Sequence, residues 1–180
     1  MKLKSLRLAA AMSLSALLLS AVPASAAVIG VQVMASDGSY FTASGPSQYW
    51  HSAAGGYCGG PGLWCSPNTY RWTYDYNATY GQQNSAVWKV PTEQLVFSRA
   101  YAFIPRRNAT CRTAFYTMSY SGVSGYEQAL DQLPYYDQWA PLFGGKSFYR
   151  ARQIWLSDGQ QGFNLSTLEQ IAFDEIKIES

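Results

Sequence analysis

Residues 152–157 read RQIWLS, and residues 171–178 read IAFDEIKI. In the first, Ile154 and Leu156 fall on one face, with Gln153, Trp155 and Ser157 on the other. That is the period of a half-buried strand. The Asp158-Gly159 turn dipeptide follows it. In the second, Ala172, Asp174, Ile176 and Ile178 share one face, opposite Ile171, Phe173, Glu175 and Lys177. Asp174 is thereby placed among apolar neighbours, where a carboxylate is costly unless hydrogen-bonded, paired or bound to a cation. It is expected to be a structural carboxylate, held by backbone donors or by a structural Ca²⁺.

The same period extends upstream. Residues 94–104 alternate with apolar or aromatic side chains on both faces, which predicts a central strand. Pro105 ends it, and Arg106-Arg107-Asn108 reads as a polar turn. Residues 112–120 (RTAFYTMSY) alternate again. Residues 126–133 (YEQALDQL) admit either a strand or a helical turn. Charged residues make up only 13% of the chain and aromatics 16%, with fourteen Tyr and six Trp. This composition and patterning predict an all-β protein, a jelly-roll-like sandwich of two antiparallel sheets.

The N-terminus has a different character. Lys2, Lys4 and Arg7 precede the apolar run of residues 8–22, and Ala24-Ser25-Ala26 is a small-x-small cleavage pattern. Residues 1–26 read as a bacterial-type signal peptide, residues 27–180 as one secreted domain. The h-region is short for a membrane span, and no later run approaches that length, so no anchor is expected. The formal charge of +2 comes from thirteen basic and eleven acidic side chains. Processing removes three basic ones and leaves −1. No basic stripe points to nucleic acid.

Several positions carry a family pattern. Asp131-Gln132, Trp139, Leu142 and Gly144, Phe148, Leu156-Ser157-Asp158 and Ala172-Phe173-Asp174 occur in order over about fifty residues. Upstream stand Asp37, Phe41, Gly45, Trp50, Ser52 and Gly56-Tyr57, then Ala86, Trp88 and Pro91. The series resembles the carbohydrate-binding-like domain shared by golvesin and the C-terminal part of xanthan lyases. The resemblance implies a strand ending at Asp131-Gln132 and structural roles for Trp88, Trp139 and Asp131. It also implies a non-catalytic, carbohydrate-associated module, since that domain sits beside a catalytic one.

Residues 55–84 depart from that pattern. They are rich in Gly, Tyr and Trp and read as a long, ordered loop. Cys58 and Cys65 flank a Gly-Gly-Pro-Gly turn that favours a disulfide between them; Cys111 is an alternative partner for either. His51 is the single histidine. With no G-x-S-x-G nucleophile motif, a surface or packing role outweighs a catalytic one. No cofactor motif and no zinc spacing is present. Carboxylates can act in glycosidase pairs, but none is singled out by spacing.

The aromatic residues carry the functional reading. Trp50, Tyr57, Trp64, Trp72 and Tyr74 are the candidate carbohydrate-binding residues, because aromatic faces stack on the apolar faces of sugar rings. The expected function is non-catalytic binding of extracellular or cell-envelope polysaccharide. The alternatives are a surface or matrix protein that binds protein or lipid and, behind it, a small secreted hydrolase.

Overall fold

The computed structural model describes residues 30–57, 69–75, 84–91, 97–159 and 169–180. The predicted signal peptide, Cys58, Trp64 and Cys65 lie outside them. Among the described residues the regular elements are thirteen β-strands and two short 3₁₀ turns. The strands are β1 (Val31–Met34), β2 (Phe41–Ser44), β3 (His51–Ala54), β4 (Thr69–Tyr74), β5 (Ser85–Lys89), β6 (Phe97–Ile104) and β7 (Ala114–Tyr120). They continue as β8 (Val123–Leu130), β9 (Gln138–Pro141), β10 (Phe148–Tyr149), β11 (Ala151–Ser157), β12 (Gln170–Phe173) and β13 (Ile176–Glu179).

The first sheet runs β1-β13-β6-β10, with β9 also paired to β6; the second runs β2-β5-β11-β7-β8. All pairings are antiparallel. The chain switches repeatedly between the two sheets, which is jelly-roll connectivity with β5 inserted between β2 and β11. The expected β-sandwich is therefore present. A third sheet, in the order β12-β4-β3, is added to it.

The alternation read from the sequence sets the core. On β11, Ile154 and Leu156 are fully buried while Trp155 is exposed. On β6, Ala100, Ala102 and Ile104 face inward, and the strand pairs at both edges as a central strand does; on its other face Phe103 is buried but Phe97 and Arg99 are exposed, so that face is apolar only at its end. Small inward residues (Ala86, Ala100, Ala102, Ala114, Ala140) leave room for Trp88, Tyr116, Phe143 and Phe148 in one cluster. Mixing small and large side chains lets the two sheets interdigitate at native packing density. The third sheet enters the same cluster through Tyr70, Ile171, Ala172 and Phe173.

Residues 126–133 resolve as strand through Leu130. The β7–β8 hairpin turns at Ser121 and Gly122, with φ of 38° and 81°. Two successive positive φ values match the right-handed twist of the strands they join.

Two sequence expectations need correction. Residues 171–178 are two strands rather than one: β12 pairs with β4, and β13 with β1 and β6. The chain crosses between sheets at Asp174-Glu175, so every residue from Ile171 to Ile176 is buried and alternation cannot hold. Nor are residues 55–84 loop throughout, since residues 69–74 (TYRWTY) form β4. Its aromatic and β-branched alternation is itself a strand signal, masked by the Gly-rich composition around it.

Asp131 and Gln132 follow β8 and divide the work. Asp131 is exposed, and its carboxylate accepts the Leu133 amide at 2.9 Å. Gln132 is fully buried. Its side chain donates to the Ala172 carbonyl and accepts the Ala172 amide, each at 3.1 Å, and also donates to the Tyr116 hydroxyl at 3.0 Å. A side-chain amide thus completes the backbone pairing along the outer edge of β12. Cys111 is buried beside it, and its carbonyl accepts the Gln132 amide at 2.8 Å.

Gln132→Ala leaves both polar groups of Ala172 buried and unpaired. It should destabilise the fold by about 2–4 kcal/mol, against about 1 kcal/mol for Tyr116→Phe. Urea unfolding of the two variants beside wild type measures the difference.

Candidate functional site

The third sheet displays an aromatic platform. Alternation along β4 puts Tyr70, Trp72 and Tyr74 on one face, and the register sets His51 of β3 opposite Trp72. The His51 and Trp72 rings stack with centroids 4.2 Å apart and planes 21° off parallel. Tyr74 meets them edge-on, 5.8 Å from His51 and 5.2 Å from Trp72. All three are half-buried, so the rings hold one another in place while part of their surface stays open. His51 had no place in the binding set read from the sequence. Its place beside Trp72 follows from cross-strand register, which the chain's order does not display.

The other aromatic candidates sit elsewhere, which corrects their grouping as one loop surface. Trp50 precedes His51 in extended chain, so its side chain leaves from the opposite side. Its ring packs edge-on against Phe173 at 4.9 Å, with the Arg71 guanidinium 5.8 Å from its centre. Tyr57 packs on Trp139 at 4.8 Å and Phe103 at 5.2 Å. Lys177 Nζ lies 5.0 Å from the centre of Trp139. Trp88 is buried, and its indole donates to the Asp174 carbonyl at 3.0 Å.

Asp174 is 4% exposed, and its Oδ2 accepts the Tyr57 amide at 3.3 Å. Gly56 is required by this approach, since a Cβ there would lie 2.8 Å from both carboxylate oxygens. Burial pushes Asp174 up to about 7; the Tyr57 amide opposes the rise, and Asp37 and Asp137 add to it. Burial, then Asp174 and Asp37, push Glu175 up to about 8. Glu175 Oε2 is buried with no hydrogen-bond partner among the described residues. Both groups hold protons at mildly acidic pH, the cheaper state for a carboxyl out of water. Among the described residues no three His, Cys, Asp or Glu side chains converge as a metal cage.

Five further carboxylates accept backbone amides at 2.8–2.9 Å. Asp75 takes Glu169, Asp158 takes Asn84, and Glu169 takes Arg112. Asp137 takes Arg106, and Asp131 takes Leu133 as described.

A cleft of about 230 Å³ opens beside the Tyr70 end of the platform strand, lined by Ala54, Gly55, Tyr70, Arg106, Arg107 and Asp137. The Tyr70 hydroxyl lies 2.9 Å from both the Arg107 carbonyl and Asn108 Oδ1, which fixes the loop above it. The sequence showed only a polar turn at Arg106-Arg107. That β4 runs beneath it is a tertiary fact.

No family model and no curated protein matches this chain. Among solved structures, a xanthan lyase from Paenibacillus is similar, with a TM-score of 0.53 at 14% identity. The match covers 85% of this chain and 13% of the lyase chain. At that identity the likeness shows a related β fold, in line with the xanthan-lyase resemblance read from residues 37–174.

The carboxyl pair has a consequence for stability. Both folded-state values lie above the usual carboxylate range near 4, so protonation favours the folded state. That contribution is complete below about pH 4 and is lost as pH rises through 7–8. Thermal melts should show the midpoint falling by several degrees between pH 5.5 and 8.5. The double variant Asp174→Asn/Glu175→Gln should flatten this dependence.

Proposed function

We propose that this chain is a secreted, non-catalytic domain that binds extracellular or cell-envelope polysaccharide through the platform of His51, Trp72 and Tyr74. The observation that carries the reading is the His51–Trp72 stack with Tyr74 set edge-on, half-open on a paired strand rather than on a free loop. Aromatic faces accept the apolar face of a sugar ring, and rings already fixed by their neighbours lose little entropy on binding. Trp64 lies in the segment joining β3 to β4 and stays a candidate.

A binding role also fits the carboxylates. Six of them hold backbone amides, work that suits loop and strand fixation better than acid–base chemistry. Export rests on the basic, apolar and small-residue order of residues 1–26. The solved neighbour is named for xanthan, and that name describes the lyase.

One observation favours the second reading, a surface protein that binds other proteins. Phe97 is 67% exposed and packs on exposed Tyr149 at 5.4 Å, away from the platform strands.

Affinity electrophoresis through gels containing different polysaccharides separates the two. Trp72→Ala should weaken retention by about 1–3 kcal/mol, taking aromatic stacking on bases as the analogy, and Phe97→Ala should leave it unchanged. Normal retention by both Trp72→Ala and Tyr74→Ala would remove the platform from consideration. Failure to bind any glycan would leave the protein-binding reading.

A further inference from the structure

The cleft beside the platform has a lining that differs from the platform in chemistry. We infer that it is a subsite for the carboxylate of an acidic sugar, so that the polysaccharide bound is a uronate-bearing one. This deepens the glycan reading above and rests on it.

Size comes first. At about 230 Å³ the cleft falls below the roughly 300–1,000 Å³ of pockets for drug-sized ligands, and it suits one sugar ring.

Position comes second. Tyr70, at the cleft floor, shares the face of β4 that carries Trp72. Two residues along a strand span about 7 Å, so along β4 the cleft and the platform are about one sugar unit apart.

Charge comes third. Arg106 and Arg107 are both exposed at the cleft, and neither guanidinium forms an ion pair among the described residues. A planar guanidinium matches a carboxylate in a two-bond fork, which a neutral sugar cannot offer. Asp137 is drawn off toward the backbone, with its Oδ1 on the Arg106 amide, and its other oxygen can take a sugar hydroxyl. The Tyr70 hydroxyl pins the loop that carries both arginines, so their side chains start from a fixed backbone. Gly55, with φ of 105°, keeps the opposite wall free of a side chain.

The test is calorimetric titration of the secreted chain with tetramers of galacturonate and of glucuronate, each beside its methyl ester. The ester changes the charge and little else. Wild type should bind the acids at least about tenfold more tightly than the esters, the size of one charge-assisted hydrogen bond. This preference should shrink as salt rises. Arg106→Gln/Arg107→Gln should bind acid and ester alike, at the wild-type ester affinity, with an unchanged melting temperature. Trp72→Ala should weaken both forms equally.

Three results would overturn the inference. One is equal binding of acid and ester by wild type. Another is a preference that survives in the double arginine variant. The third is competition by inorganic phosphate or a single-stranded oligonucleotide as strong as that of the uronates, which would make the cleft a general anion site. Neutral glycans that bind through Trp72 without any acid preference would sink the subsite and leave the glycan reading standing. A chain that binds neither acid, ester nor any neutral glycan sinks both.

Discussion

The joint at Asp174-Glu175 ties the three sheets together. Here the chain leaves β12 in the third sheet and enters β13 in the first. Both backbone carbonyls are held from elsewhere: the Trp88 indole of the second sheet bonds that of Asp174, and the Phe103 amide of the first bonds that of Glu175. The Asp174 side chain reaches the Tyr57 amide just beyond β3. Residues from three distant parts of the chain therefore converge on this two-residue joint. Burial makes the ionised carboxyls costly there, and their protonated forms relieve that cost.

The position of the candidate site follows from this joint. β12 flanks β4, and β4 carries Trp72 and Tyr74. On its other edge β12 has no strand to pair with at Ala172 among the described residues, and the Gln132 amide takes that place. The platform is thus supported from below by a satisfied, buried polar network, which fixes side-chain geometry in a way an apolar contact alone does not. Rings standing on a paired strand are pre-organised, and weak, additive contacts benefit most from that.

The sandwich by itself implies no activity, because one fold hosts many functions. What distinguishes this chain is what has been added to the jelly-roll frame. β5 widens the second sheet. The excursions that carry β3, β4 and β12 build a third sheet that carries the aromatic platform, and the arginine-lined cleft lies where the turn after β6 meets the Tyr70 end of that sheet. The platform belongs to the additions and the arginines to the frame, so the candidate chemistry lies where the two meet.

Local period was enough to make the strands legible. Ile154 and Leu156 opposite Trp155, and Ala100, Ala102 and Ile104 on β6, announce their faces through alternation that any half-buried strand must show. The fold class followed from such patterns; Asp174 is buried as expected, but because the chain crosses between sheets there. Pairing was not legible, because register is decided between segments far apart in the chain. That is why residues 171–178 looked like one strand, although each half hydrogen-bonds to a different sheet. It is also why Trp50 and Tyr57 were grouped with Trp72 and Tyr74: sequence proximity and shared aromatic character do not reveal that neighbours in extended chain leave on opposite sides. His51 against Trp72, and Arg106-Arg107 above Tyr70, are products of strand pairing and loop closure. The sequence by itself determined which face of a regular strand turns inward, as at Ile154 and Leu156, since apolar spacing is a local property. Only the tertiary structure decided which exposed residues meet, since that depends on long-range hydrogen bonds among β3, β4 and β12.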